Sequence, residues 1–300
     1  MTLDLSGLAV ALATPFTPAG EVDYPAFRKL VRHVVAGGVN ILVPLGTTGE
    51  ASTLLDAERD AIIVACLEES HGRPVLVGTG HNATRQAAAM TRRAQELGAK
   101  GALVVTPYYN KPNPDGLVAH YAAIAEAAPG FPLVAYNVPG RTGLNVTPAL
   151  LIRLWENPQV VAVKESSGSL AQIAEVARTL PMGKTLLSGD DNLALAALAV
   201  GASGLVSVLG NVLPQETSAM IAAARRGNTL DALRLHQQLL PLMDALFVES
   251  NPVPLKAALQ LLGIGTDVVR LPLAAASAAT RTLVAEALCL AADGTIPGVK

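Results

Sequence analysis

The sequence predicts an α/β fold, a (β/α)8 TIM barrel that carries a C-terminal all-helical extension. Three observations lead there. Eight short apolar runs recur with starts 33, 34, 27, 31, 27, 25 and 19 residues apart, the length of one strand plus one helix. The stretches between them carry apolar residues at helical spacing, and several end near Gly or Pro. After Gly210 the alternation stops and only helical patterns remain. Strand–helix units repeated in this way build a parallel sheet closed into a barrel.

The strand candidates are residues 8–13, 41–45, 75–78, 102–106, 133–136, 160–163, 185–187 and 204–208. Helical spacing marks 24–37, 55–70, 84–98, 116–128, 147–156 and 170–180. The tail reads as helices over 214–226, 229–248, 254–262 and 273–291, with Gly and Pro as punctuation. The expected division is a barrel over 1–226 that carries the active site and a helical domain over 227–300, with a frayed end from Gly294. An open doubly wound sheet is the structural alternative, but it wants a glycine-rich nucleotide turn. Gly78-Thr79-Gly80 lacks a third glycine, and Gly46-Thr47-Thr48-Gly49-Glu50 lacks the Lys-Ser/Thr ending of a phosphate loop.

Composition narrows the function. The 300 residues are 51% hydrophobic and 15% charged, with a net charge of −2, which gives no basic footprint for nucleic acid. Cys66 and Cys289 form no redox or metal motif, so reduced thiols are expected. The five histidines are scattered without ligand spacing, and no metal site is expected. No Gly-x-Ser-x-Gly elbow anchors a serine hydrolase. Met1 to Gly7 shows no signal-peptide pattern and no apolar run reaches bilayer length, so the expected location is the cytoplasm.

Lys164 is the most informative residue. It ends the run Val160-Val161-Ala162-Val163, where a charged amine is costly unless it is used or paired. Burial lowers the pKa of an amine, and the free base is the form that attacks a carbonyl, so Lys164 is a Schiff-base candidate. The competing reading is a lysine that reaches solvent or pairs with Glu165. In a barrel of this type chemistry sits at the C-terminal strand ends. There the sequence places the 46–50 turn, Tyr108 and Tyr109, Tyr136, Arg141, and Ser188-Gly189-Asp190-Asp191. The Gly-Thr-Thr-Gly turn is either a tight strand-to-helix connection or a cradle for a carboxylate, as an α-keto acid needs. Arg141 is either a solvated arginine or a bidentate grip on a substrate carboxylate. Tyr136 suits an ordinary core tyrosine as well as a site residue. The two aspartates read as helix caps before metal ligands.

Taken together, Gly-Thr-Thr-Gly-Glu at 46–50, Thr-Pro-Tyr-Tyr-Asn at 106–110, Tyr-Asn-Val-Pro-x-Arg-Thr-Gly at 136–143, Val-Lys-Glu-Ser at 163–166 and Ser-Gly-Asp-Asp at 188–191 resemble the dihydrodipicolinate synthase family. That family belongs to the pyruvate-dependent class I aldolases, with N-acetylneuraminate lyase. The likeness runs from Leu8 to about Ala291 and includes Asn-Pro-Val-Pro-Leu-Lys at 251–256. It implies that Lys164 forms an imine with pyruvate, with no other cofactor, and that the resulting enamine attacks L-aspartate 4-semialdehyde in the diaminopimelate and lysine route. Thr47 and Thr48 would hold the pyruvate carboxylate, and Tyr136 with Thr47 would relay protons. Tyr109 would complete that relay in a neighbouring subunit, which implies a homo-oligomer, a tetramer built as a dimer of dimers. Arg141 would bind the aldehyde's carboxylate, and Gly189 and Val206 would line the pyruvate pocket.

The family's lysine-inhibited members carry histidines where this chain has Asp56 and Arg59 and a glutamate where it has Gln86, so weak or absent lysine feedback is expected, with Asn82 and Tyr108 left as contacts. A sibling aldolase with another aldehyde (an N-acetylneuraminate, sugar-acid or hydroxy-oxoglutarate enzyme) and a barrel without catalysis are the alternatives. Arg141 speaks against a polyol aldehyde, and the joint presence of the rim residues speaks against lost catalysis.

Overall fold

A computed structural model describes residues 3–292. Eight parallel strands and their helices alternate: β1 (Gly7–Ala11), α1 (Tyr24–Ala36), β2 (Ile41–Val43), α2 (Asp56–Glu69), β3 (Leu76–Gly78), α3 (Thr84–Glu96), β4 (Gly101–Val105), α4 (Pro114–Ala127), β5 (Leu133–Asn137), the short α5 (Pro139–Thr142), α6 (Pro148–Trp155), β6 (Val160–Glu165), α7 (Leu170–Arg178), β7 (Thr185–Ser188), α8 (Ala194–Ala199), β8 (Gly204–Ser207) and α9 (Pro214–Arg225). The tail adds α10 (Thr229–Ala245), α11 (Val253–Leu261) and α12 (Ala278–Ala291).

The sheet runs β2-β1-β8-β7-β6-β5-β4-β3. Its two ends meet through a parallel bridge between Leu42 and Val75, with Leu42 N–H donating to the Pro74 carbonyl at 3.0 Å. The barrel is therefore closed, the expected fold. Gly78 is needed at that seam, because a Cβ there would overlap the Leu45 carbonyl.

Local chemistry sets the helix starts. Asp23, Asn113, Thr147 and Ser169 each accept a backbone N–H of the first turn, and Pro25, Pro114 and Pro148 occupy first-turn positions where no donor is needed. The α1 face Phe27, Leu30, Val31 and Val34 is fully buried against the barrel. Strand alternation then sorts the core. Ala9, Ala11, Val134, Ala162, Leu187 and Val206 fill the barrel interior, while Leu8, Val10, Ala135, Val163, Leu186 and Leu205 face the helices.

Three expectations change. Strand β6 continues through Lys164 and Glu165, because the polar strand end pairs with β5 and β7 just as the apolar part does. Helix α12 begins at Ala278, not at 273, and Ser277 caps it by accepting from Thr280 N–H at 3.1 Å through its hydroxyl oxygen. Helix α8 is too short and too uniformly Ala and Leu to show a period in the sequence. The expected frayed end from Gly294 lies outside the described residues. Among those described, no helix is long and apolar enough to cross a membrane.

Candidate active site

Strand parity decides where Lys164 points. It is two residues beyond the interior Ala162, so its side chain enters the barrel, whereas Glu165 turns the other way. The pairing of Lys164 with Glu165 that the sequence left open does not occur. Glu165 is fully buried and accepts from Asn137 Nδ2 at 2.9 Å, Ser167 N–H at 2.7 Å and Gln172 Nε2 at 3.3 Å. Lys164 does not snorkel either, being 5% exposed. No hydrogen bond or ion pair engages its amine among the described residues. The Nζ lies 4.1 Å from the centroid of the Tyr136 ring, whose residue is its direct cross-strand neighbour on β5.

Tyr136, 7% exposed, forms part of the wall of a cavity of about 330 Å3 at the C-terminal rim of β2 to β5. Thr47, Tyr108 and the exposed Arg141 share that wall. The turn that presents Thr47 follows Leu45, held at φ +61, a left-handed conformation that a leucine rarely takes. Thr48 does not line this cavity itself; its buried hydroxyl accepts from Asn251 Nδ2 at 2.9 Å. Val206 sits in the barrel interior at 1% exposure, within the apolar cluster that holds Tyr136. Gly189 is the floor beneath Lys164: a Cβ there would overlap Ser166 Oγ and stand 2.8 Å from Lys164 Cε.

Tyr109 is apart from all of these. Its side chain is 89% exposed on a backbone at φ +73, outside the cavity of its own chain.

Acidic groups border Lys164. Burial pushes the Asp190 carboxyl up to about 6, against the opposing pull of Lys164. Asp191 is also pushed up by burial, and it accepts from the Ser207 hydroxyl, Val208 N–H at 2.9 Å and Leu209 N–H at 3.1 Å. It therefore caps the turn after β8, not the helix that follows it in sequence.

Two structural ties escaped the sequence reading. Arg59 donates to the Ala51 and Gly78 carbonyls at 3.0 and 3.1 Å, joining the turn after β2 to the end of β3. Glu50 and Lys256 form a buried ion pair behind the same turn, and Lys256 also donates to Val268 O at 2.9 Å. No spacing rule reveals either, since each joins distant segments. Asp56, Arg59 and Gln86 do meet, in a separate cavity of about 270 Å3 beside α2 and α3. Tyr108 lines the cavity that holds Tyr136 instead, and Asn82 offers its carbonyl to Asn110 Nδ2 at 2.9 Å.

Known proteins resemble this chain over almost its whole length. The chain is 49% identical over 285 residues to the 4-hydroxy-tetrahydrodipicolinate synthase of Thermomicrobium roseum, covering 95% of this chain and 94% of that one. Its fold matches the chloride-inhibited dihydrodipicolinate synthase of Acinetobacter baumannii complexed with pyruvate, with a TM-score of 0.94, 39% identity, and coverage of 96% and 99%. It also matches the enzyme of Cyanidioschyzon merolae with lysine bound, at a TM-score of 0.92, 40% identity, and coverage of 96% and 98%. Residues 4–290 fit the family model described as the dihydrodipicolinate synthetase family, and with the closed barrel, the interior lysine and these relatives the chain belongs to that family.

Proposed function

We propose that this chain condenses pyruvate with L-aspartate 4-semialdehyde to 4-hydroxy-tetrahydrodipicolinate, through an imine on Lys164 and with no other cofactor. The observation that carries the reading is the state of Lys164: buried, aimed into the barrel, without an ion pair among the described residues, and 4.1 Å from the centroid of the Tyr136 ring. A nucleophilic amine needs a buried site and no partner engaging its nitrogen, and Lys164 is buried with no hydrogen bond or ion pair on its amine among the described residues.

Lys164 Nζ attacks the keto carbon of pyruvate, and the carbonyl oxygen leaves as water. Loss of a methyl proton then turns the imine into an enamine. The enamine carbon adds to the aldehyde, whose oxygen takes up a proton and stays as the hydroxyl. The amino group of the semialdehyde next attacks the imine carbon, closes the ring and expels Lys164. Thr47 and Thr48 hold the pyruvate carboxylate during these steps. The Tyr136 hydroxyl makes no hydrogen bond among the described residues, which leaves it available to move protons with Thr47. Arg141 at the cavity wall supplies a cation for the carboxylate of the incoming aldehyde, and Gly189 and Val206 shape the pyruvate pocket. A polyol aldehyde would find an arginine where it needs hydroxyl partners, which disfavours the sibling aldolases.

Tyr109 supports an oligomeric reading. A tyrosine held at φ +73 with its ring in solvent costs energy, and its side chain makes no hydrogen bond or ring contact among the described residues. Completing the relay of a neighbouring copy gives it a role, within a tetramer made of two such dimers in the cytoplasm.

The test is pyruvate-dependent consumption of L-aspartate 4-semialdehyde by the purified protein, beside a Lys164→Ala control. Turnover that disappears in the control, together with loss of the borohydride-trapped pyruvate adduct, is expected. Trapping without turnover would point to another aldehyde. Turnover that survives Lys164→Ala would refute the imine.

A further inference from the structure

The segment that opens α11 reaches the site twice. Asn251 is 5% exposed; its Nδ2 donates to Thr48 Oγ1 at 2.9 Å across 203 residues of sequence. Its main-chain carbonyl accepts from Arg141 Nη2 at 3.4 Å. Its Oδ1 is buried without a hydrogen-bond partner, so among the described residues the only side-chain hydrogen bond of Asn251 is the one it makes to Thr48. A threonine hydroxyl has one proton and two lone pairs, and an amide N–H cannot accept. With a lone pair taken by Nδ2, the hydroxyl proton has to point elsewhere.

We propose that Asn251 is a positioning residue that fixes Thr48 as a hydrogen-bond donor, aiming its hydroxyl proton at the carboxylate of bound pyruvate. The inference rests on the reading above that Thr48 holds that carboxylate. The chemistry is general. A hydroxyl free to rotate must be reoriented each time an anion binds, whereas one fixed in advance donates without that cost. Because Thr48 is only 3% exposed, water is a poor substitute for the amide. Asn251 thus acts on pyruvate through its side chain, while Arg141 meets only its main chain, and the two substrates can be separated by experiment.

The measurement is steady-state kinetics with each substrate varied, together with the pyruvate dependence of borohydride trapping, for Asn251→Ala, Asn251→Asp, Thr48→Val and Asn251→Ala/Thr48→Val. Loss of one neutral hydrogen bond should raise the pyruvate KM of Asn251→Ala about three- to tenfold, with kcat and the aldehyde KM near wild type. Asn251→Asp should be worse, because a carboxylate takes the Thr48 proton for itself. In the Thr48→Val background Asn251→Ala should add nothing. The proposal is overturned if Asn251→Ala leaves the pyruvate KM unchanged, if Asn251→Asp behaves as wild type, or if the two changes are additive. An equal rise in both KM values would also overturn it, as the mark of a general distortion. If Thr48→Val alone leaves the pyruvate KM unchanged, the carboxylate role of Thr48 is what fails.

Discussion

Replacing Gly189 by alanine tests the placement of Lys164 without touching the lysine. The φ of Gly189 lies outside the left-handed region, so alanine meets no backbone penalty there and the effect is purely one of space. The new methyl would overlap Ser166 Oγ and lie 2.8 Å from Lys164 Cε. Carbon atoms prefer a separation of about 3.5–4.0 Å, so the lysine side chain must withdraw by roughly 0.8 Å. Overpacking of this size costs about 1–3 kcal/mol, within the margin of a domain stable by about 5–15 kcal/mol, and the variant should fold. A displacement near 1 Å at the reacting atom lowers turnover by about 10²-fold. The assay is the rate of borohydride-trapped pyruvate adduct alongside kcat, with thermal unfolding as the stability measure. A companion variant divides the two contacts. Ser166→Ala in the Gly189→Ala background removes the Oγ overlap but leaves the methyl against Lys164 Cε, so stability should recover further than trapping does. A wild-type trapping rate in Gly189→Ala, or full recovery of that rate in the double variant, would refute the argument.

Other perturbations follow from the same geometry. Tyr109→Phe should lower turnover about 10²-fold, the scale of a general acid–base group, while the circular dichroism spectrum stays unchanged; equal turnover would remove Tyr109 from the mechanism. Lys256→Met leaves Glu50 buried without its cation and should destabilise the protein by about 3–5 kcal/mol in denaturant unfolding, a loss that Glu50→Gln in the same chain should reduce. Asp190 has a folded pKa of about 6, above its ordinary 3.8, with Lys164, Asp191 and Glu165 acting on it. Its contribution to stability is therefore full below pH 3.8 and lost as pH rises through 6, so Asp190→Asn should gain about 1–3 kcal/mol on wild type between pH 4 and pH 7. A pH-independent difference would contradict that. Lysine should inhibit weakly or not at all, in contrast to what the lysine-bound Cyanidioschyzon merolae structure would suggest by analogy, because the Arg59 guanidinium is committed to two backbone carbonyls and Gln86 offers no carboxylate to an amino group. Strong inhibition by submillimolar lysine would refute this.

What the sequence made legible follows from burial. Strands covered on both faces read as unbroken apolar runs, which is why all eight could be placed. Their ends are less clear because the candidate site residues sit there: the apolar run stops at Val163, yet the β6 ladder carries Lys164 and Glu165. Contacts between distant segments left no trace. Nothing near Thr48 announces Asn251, 203 residues away, and nothing near Arg59 announces the Gly78 carbonyl. A motif records which residue types are present, while the direction of each donor depends on how the chain closes.

The two buried lysines show how far the opening criterion reaches. A lysine in an apolar segment singled out Lys164, but Lys256 meets the same test: it is 1% exposed, and burial lowers its pKa to about 8 against the pull of Glu50. Desolvation alone would rank Lys256 as the nucleophile. Its Nζ, however, is paired with Glu50, donates to Val268 O at 2.9 Å and lies 3.8 Å from the centre of the Phe16 ring. Glu50 favours the ammonium form at that nitrogen, while burial and the nearby Arg270 oppose it. Lys164 has the face of Tyr136 and the acidic Asp190 nearby, but no hydrogen bond or ion pair engages its amine among the described residues. Both lysines are buried; what distinguishes them is whether an anion pairs with the amine at close range, as Glu50 does with Lys256.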